Sequence, residues 1–257
     1  MPLEILIKST IAGVLASLAC GLGVLPLWVK KLDYDRYAGL GYAVAGGLMF
    51  AASVYNLILP GLQLETHSLT WHEVAPVISG ILLGALFMSM TDTYLSEERL
   101  EQKNWARFGT RGQILIFLAM AIHSIPEGVA VGVGYASETV YETHLGTYIA
   151  VAIGIHNIPE GLAVGIPLRS AGASLNRAFW MAVLTSVPQP VAAIPAGMAS
   201  WFFQPLMPIL MGFAAGAMIF LVLLEIIPAA LKSETQPRIA WAFTIGFCLM
   251  ILVQILI

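Results

Sequence analysis

Charge is what this chain has least of. Only 11% of its 257 residues are Asp, Glu, Lys or Arg, where a soluble domain carries about 25%. That is too few to cover the surface of a large soluble core. Cysteine is nearly absent as well. Cys20 and Cys248 both fall in apolar runs, so they read as packing residues and identify no redox compartment. They form no Cys-x-x-Cys zinc or redox motif. A net charge of −3 with no basic patch leaves nothing for nucleic acid to bind. There is no Gly-x-x-x-x-Gly-Lys phosphate loop to supply energy, and no His-Glu-x-x-His of a zinc protease.

What is abundant is apolar. Hydrophobic residues make up 58% of the chain and the mean hydropathy is +0.84. Repeated apolar runs of about 20 residues point to an all-α, polytopic membrane protein forming a single transmembrane domain. Eight spans fit, at 6–29, 38–60, 74–92, 113–135, 146–168, 178–200, 206–230 and 238–257. Lys8 before the first run resembles the start of a signal peptide, but the run continues to Val29, too long for an h-region. Small residues at four-residue spacing, Gly13, Ser17 and Gly21 with Ala12 and Ala16 beside them, make it a helix-packing face. The loop 93–112 is charged and of mixed sign, either a short surface helix or a connector.

Loop charges orient the spans. The loops after spans 1, 3, 5 and 7 hold eleven of the twelve Lys and Arg residues, and those after spans 2, 4 and 6 hold none. The positive-inside rule then puts both termini outside a plasma or bacterial inner membrane. The outer loops carry Glu65, Glu73, Glu138 and Glu142 with His67, His72 and His144. They are either solvated loops or a cation-concentrating face.

One segment stands out against this background. Ile122-His-Ser-Ile-Pro-Glu-Gly-Val-Ala-Val-Gly132 returns 33 residues later as Ile155-His-Asn-Ile-Pro-Glu-Gly-Leu-Ala-Val-Gly165, with nine of eleven positions identical. His123 and Glu127 share one helical face, as do His156 and Glu160. Each histidine lies ten residues into its span, and the two spans are antiparallel, so both copies fall near the bilayer centre. Pro126 and Pro159 cannot donate to the carbonyls of Ile122 and Ile155, which bends each helix and frees a carbonyl beside the histidine. Gly128 and Gly161 permit close helix approach.

Two carboxylates neutralise a divalent cation, and carboxylate with imidazole suits zinc, ferrous iron and manganese. Unpartnered, two such carboxylates in a membrane cost roughly 5–7 kcal/mol. A metal offsets that cost, as does protonation when the site is empty, so metal binding should release protons. A buried His–Glu pair that merely locks two helices would explain one copy; two copies at matched depth favour a site. Ser124 and Asn157, directly after the histidines, offer oxygen ligands or helix–helix hydrogen bonds. Pro188-Gln189-Pro190, then Pro195, break span 6 near its middle and expose Gln189 to the cavity. Met49 is either a soft ligand or a packing residue. Asn56 and Glu225 lie toward the outer end of span 2 and the inner end of span 7, as candidate entrance and exit. Asp92, at the inner end of span 3, is an interfacial charge or an exit ligand.

A fainter echo links spans 2 and 7. Gly47-Leu-Met49, Asn56 and Pro60 match Gly216-Ala-Met218, Glu225 and Pro228, with the proline off by one. The two spans run in opposite directions. Pairing spans 1–3 with 6–8, and 4 with 5, gives a 3+2+3 inverted repeat, a plan that transporters build around a midplane site.

The paired His-x-x-Pro-Glu-Gly motif on the fourth and fifth of eight spans, with both termini outside, resembles the ZIP (Zrt/Irt-like protein) family of divalent metal transporters over the whole chain. The resemblance implies a primary site of His123, Glu127, His156 and Glu160, with Met49 as a further ligand. It implies a secondary site that shares Glu127 and Glu160 and adds Ser124, Asn157 and Gln189. Many relatives have glutamate where Gln189 stands and asparagine where Ser124 stands, and Asn157 replaces an aspartate. The lost negative charge leads us to expect a second metal to bind weakly or not at all. The short loop between spans 3 and 4 lacks the His-rich segment of many relatives. Transport of zinc, iron, manganese or cadmium into the cytosol by alternating access is implied, with no enzyme activity. A membrane metalloenzyme is the rival, although di-iron bundles use Glu-x-x-His and here the order is reversed. A transporter of protons or other small cations is the other. A homodimer is compatible with the small-residue faces.

Overall fold

The computed structural model describes residues 2–28, 34–63, 71–94, 111–141, 144–170 and 172–256. Loop 93–112 lies almost wholly outside these residues. Every described element is helical: α1 (Pro2–Leu22), α2 (Tyr34–Ala52), α3 (Trp71–Tyr94), α4 (Arg111–Tyr141), α5 (Leu145–Ser170), α6 (Leu175–Thr185), α7 (Pro188–Phe202), α8 (Met207–Leu221) and α9 (Gln236–Leu256). A 3₁₀ turn, Leu25–Trp28, follows α1. Within the described residues seven stretches are long and apolar enough to cross a membrane. Helix α4, several of whose side chains lie outside the description, is not among the seven. Its 31 residues would extend about 46 Å at 1.5 Å per residue.

Proline disturbs these helices unevenly. Both α4 and α5 continue through Pro126 and Pro159 without a break. One proline removes a single i→i−4 bond, and the bonds on either side hold the register. The interruption falls instead in span 6, as the clustered prolines suggest. Helix α6 ends at Thr185, Ser186 and Val187 turn, and α7 restarts with Pro188 in its first turn. In α2 and α8 the change is of register. Each passes through a π-helical stretch, Ser53–Ile58 and Val222–Ile226, into a short final α segment, Leu59–Gln63 and Ile227–Leu231. The N–H of Leu59 reaches back to the Val54 carbonyl, and that of Ile227 to Val222. Each π stretch starts four residues after the methionine of the Gly-x-Met echo, and Pro60 or Pro228 follows. Spans 2 and 7 thus share a backbone irregularity as well as a sequence pattern.

Packing divides the helices into two sets. In one, α1 packs on α5, α6 and α7, and α4 on α5 and α7; in the other, α2 packs on α9 and α3 on α8. Glycines set the closeness within each set. The motif glycines Gly128 and Gly161 lie directly against the backbone carbonyls of Gln189 and Cys20. Gly47 and Gly216 of the echo do the same with Phe243 and Ile81. The sets meet chiefly through α4 with α8 and α2 with α5. Among the described glycines only Gly41 faces the other set, 3.9 Å from Leu162 Cδ2. Gly154 has open space around it.

These contacts give a paired expectation. Gly161→Ala drives a methyl into the Cys20 carbonyl, a backbone atom that cannot turn aside, and should cost about 1–3 kcal/mol. Gly154→Ala meets nothing and should be neutral or stabilising by up to about 1 kcal/mol through helix propensity. Thermal unfolding in detergent compares them; equal effects would contradict the packing described.

Candidate metal centre

Helices α4 and α5 lie side by side and bring the two motif copies together. Glu127 and Glu160 are both buried, at 1% and 3% exposure, and lie close enough for their charges to act on each other. Glu160 Oε1 has no hydrogen-bond partner among the described residues. A buried carboxylate oxygen left unbonded beside a second carboxylate is costly unless a proton or cation joins them. The side chains of His123 and His156 lie outside the description, though both residues sit in continuous helix one turn before their glutamates. Among the described residues no three His, Cys, Asp or Glu side chains group closely enough to hold an ion.

Glu127 is the better-supported carboxylate. Gln189 Nε2 donates to its Oε2. Gln189 is fully buried, packed against the centre rather than lining an open cavity. Its partner is Asn157, also fully buried, whose Nδ2 donates to Gln189 Oε1 at 3.1 Å and to the Ala16 carbonyl at 3.0 Å. Gln189 Nε2 reaches back to Asn157 Oδ1 at 3.4 Å. Of the expected secondary-site residues, the structure therefore joins Glu127, Asn157 and Gln189 directly.

Ser124 sits one turn before Glu127 and serves the helix break. Its hydroxyl lies 3.0 Å from the Thr185 carbonyl and 3.1 Å from that of Met120. Ser17 from α1 donates at 2.8 Å to the carbonyl of Ser186. Pro190 cannot give the Ser186 carbonyl its helical donor, and the Gln189 N–H turns to Ser186 at 3.0 Å instead of continuing the helix to Thr185; serines from two neighbouring helices stand beside both carbonyls. Sequence reasoning placed Ser17 only on a packing face. The prolines were the signal that carbonyls near 185–186 need donors from elsewhere.

The remaining candidates lie apart. Met49 is fully buried in an apolar cluster with Met88, Met211 and Met218; no described contact links it to the carboxylates. Asn56 is buried and Glu225 half-buried, each the fourth residue of its π stretch. Asp92 is exposed near the end of α3. At the end of α4, Glu138 Oε1 accepts from the Thr147 N–H at 2.8 Å, and Lys8 lies 3.6 Å from its other oxygen. This ties the starts of α1 and α5 to the end of α4.

Residues 95–254 match the family model described as ZIP zinc transporter. The chain is 32% identical to the zinc transporter GufA of Myxococcus xanthus, over 93% of this chain and 96% of that protein. It is 36% identical to a putative zinc transporter of Arabidopsis thaliana, over 90% of this chain but 36% of that protein. With the human zinc transporter ZIP11 it shares 44% identity, over 53% of this chain and 41% of that protein. The chain thus spans well under half of the plant and human relatives and nearly all of the bacterial one. Matched along most of its length by the family model and by a full-length relative, the chain belongs to the ZIP zinc transporter family.

Proposed function

We propose that this protein carries zinc across a membrane into the cytosol through a centre formed by His123, Glu127, His156 and Glu160. The observation that carries the reading is the buried Glu127–Glu160 pair, with an oxygen on Glu160 that has no hydrogen-bond partner among the described residues. Relatives named as zinc transporters support zinc as cargo. Buried ionisable groups in a membrane span mark substrate pathways, and the pair supplies the −2 charge that a divalent ion neutralises.

The same reading takes the helices as eight spans of a single transmembrane domain, α6 and α7 together making the sixth. The plan is a 3+2+3 inverted repeat with both termini outside. Support comes from contacts that recur in pairs: α1 with α5 and α7 with α4, α2 with α9 and α8 with α3. Equivalent glycines make equivalent backbone approaches in each pair, and the π stretches recur in α2 and α8. Alternating access follows from the division of the helices. The set α1, α4, α5, α6 and α7 holds the two glutamates, Asn157 and Gln189, and would move as a near-rigid body against the other set. Glycine-locked backbones cannot slide, whereas side-chain contacts between the sets can re-form. Met49 would contribute from the opposing set, with Asn56 toward the outer side and Glu225 and Asp92 toward the inner. The exposed apolar faces of α3 (Leu82, Leu83, Leu86) and α9 (Trp241, Ile245, Leu249) would meet lipid or a second copy. Transport would be passive or coupled to an ion gradient.

Uptake of radioactive zinc into liposomes tests the function. Glu160→Ala should reduce flux to background while expression stays near normal; wild-type flux in this variant would refute the centre. Competition by iron, manganese and cadmium at two pH values ranks the cargo. A membrane enzyme would instead show turnover without vectorial uptake. Orientation has its own check: a membrane-impermeant maleimide should label Gln204→Cys in intact cells and Ser174→Cys only after permeabilisation. The opposite pattern would invert the topology.

A further inference from the structure

We propose that Gln189 fills, with its own amide N–H, the position beside Glu127 that a second cation would need, so that the centre holds one metal ion rather than two. The inference rests on the proposal that Glu127 and Glu160 form the transport centre.

The direction of the hydrogen bonds carries it. The backbone carbonyl of Ala16 can only accept, so the Asn157 atom 3.0 Å away must be the amide nitrogen. The same nitrogen donates to Gln189 at 3.1 Å, which makes that atom the Gln189 oxygen. Gln189 must then turn its nitrogen to Glu127. One carbonyl on α1 thereby fixes both amides and sends a polarised relay from α1 through α5 and α7 to α4.

The consequence is electrostatic. To ligate a metal, an amide or hydroxyl side chain must offer an oxygen lone pair. Here the two amide oxygens are each engaged by the other residue's N–H, and what Glu127 meets is a donor. A donor and a cation cannot occupy the same carboxylate lone pair. Both amide side chains are fully buried, so water does not compete for these bonds. Ser124, the other oxygen a second ion would use, has its hydroxyl at the carbonyls of Met120 and Thr185. Charge-assisted hydrogen bonds to a buried carboxylate are the strong ones. The relay thus supports Glu127 without adding an ion, while Glu160, one oxygen of which has no partner among the described residues, is left for the cargo. Gln189 acts here as a positioning residue that sets the ion count. Substituting glutamate for it removes the donor, adds one negative charge and opens a second cation position.

Counting ions tests this. Purified full-length protein is saturated with zinc alone and dialysed, and bound zinc is measured per chain. Centre-bound ions are those lost in the Glu127→Ala/Glu160→Ala double variant, which removes surface histidines from the count. One centre-bound ion is expected for the wild type and two for Gln189→Glu. Two ions in the wild type would overturn the proposal, as would one ion in a monodisperse Gln189→Glu protein. If Gln189→Glu fails to fold, the wild-type count alone still decides between one ion and two. No centre-bound ion in the wild type would refute the transport centre itself, a different failure.

Discussion

Two carboxylates buried against each other in an apolar helical protein are the constraint on which the rest depends. Each is costly at membrane depth, and together they repel. The fold answers the two unequally. Glu127 receives an amide relay anchored on the α1 backbone, whereas Glu160 keeps a buried oxygen with no described partner. Such a pair is stable only while something positive, a proton or a metal, is shared with it. A membrane protein that carries divalent ions has a use for that instability: binding relieves it, and a folded but empty centre is poised to bind.

The packing around the pair serves the same end. Glycines bring α4 onto α7 and α5 onto α1 at backbone distance, so the elements that fix Glu127, Asn157, Glu160 and Gln189 cannot shift relative to one another. Serines from α1 and α4 close the carbonyls opened by the break in span 6, which lets the break expose Gln189 to Glu127 without leaving unsatisfied backbone behind. Across the boundary with α2, α3, α8 and α9 no described glycine makes such a backbone approach, and the buried cluster there includes methionines, whose flexible side chains tolerate rearrangement. Rigidity within the carboxylate-bearing set and compliance at its edge are what a moving centre requires.

Much of this was legible in the sequence. Apolar runs located the helices, with most ends within a few residues, although α4 runs on to Tyr141. The duplicated His-x-x-Pro-Glu-Gly segment drew attention to Glu127 and Glu160, and the structure buries both. Pro188-Gln189-Pro190 announced the break in span 6. What could not be read was which way hydrogen bonds run. Gln189 looked like a cavity-lining residue and is a buried donor, because that outcome depends on the Ala16 carbonyl, 173 positions away in the chain. The π stretches were also hidden. Pro60 and Pro228 mark where register is disturbed, but whether a helix kinks, breaks or shifts to π depends on what packs beside it. The motif prolines, expected to bend α4 and α5, are accommodated within continuous helices for the same reason.

The central claim is that the two motif copies form one metal centre between α4 and α5. Anomalous diffraction at the zinc edge from crystals of the zinc-soaked protein tests it most directly. A peak between Glu127 and Glu160, lost in crystals of Glu160→Ala, is the expected result. Zinc bound only at the surface, with no peak between the two glutamates at full saturation, would contradict it.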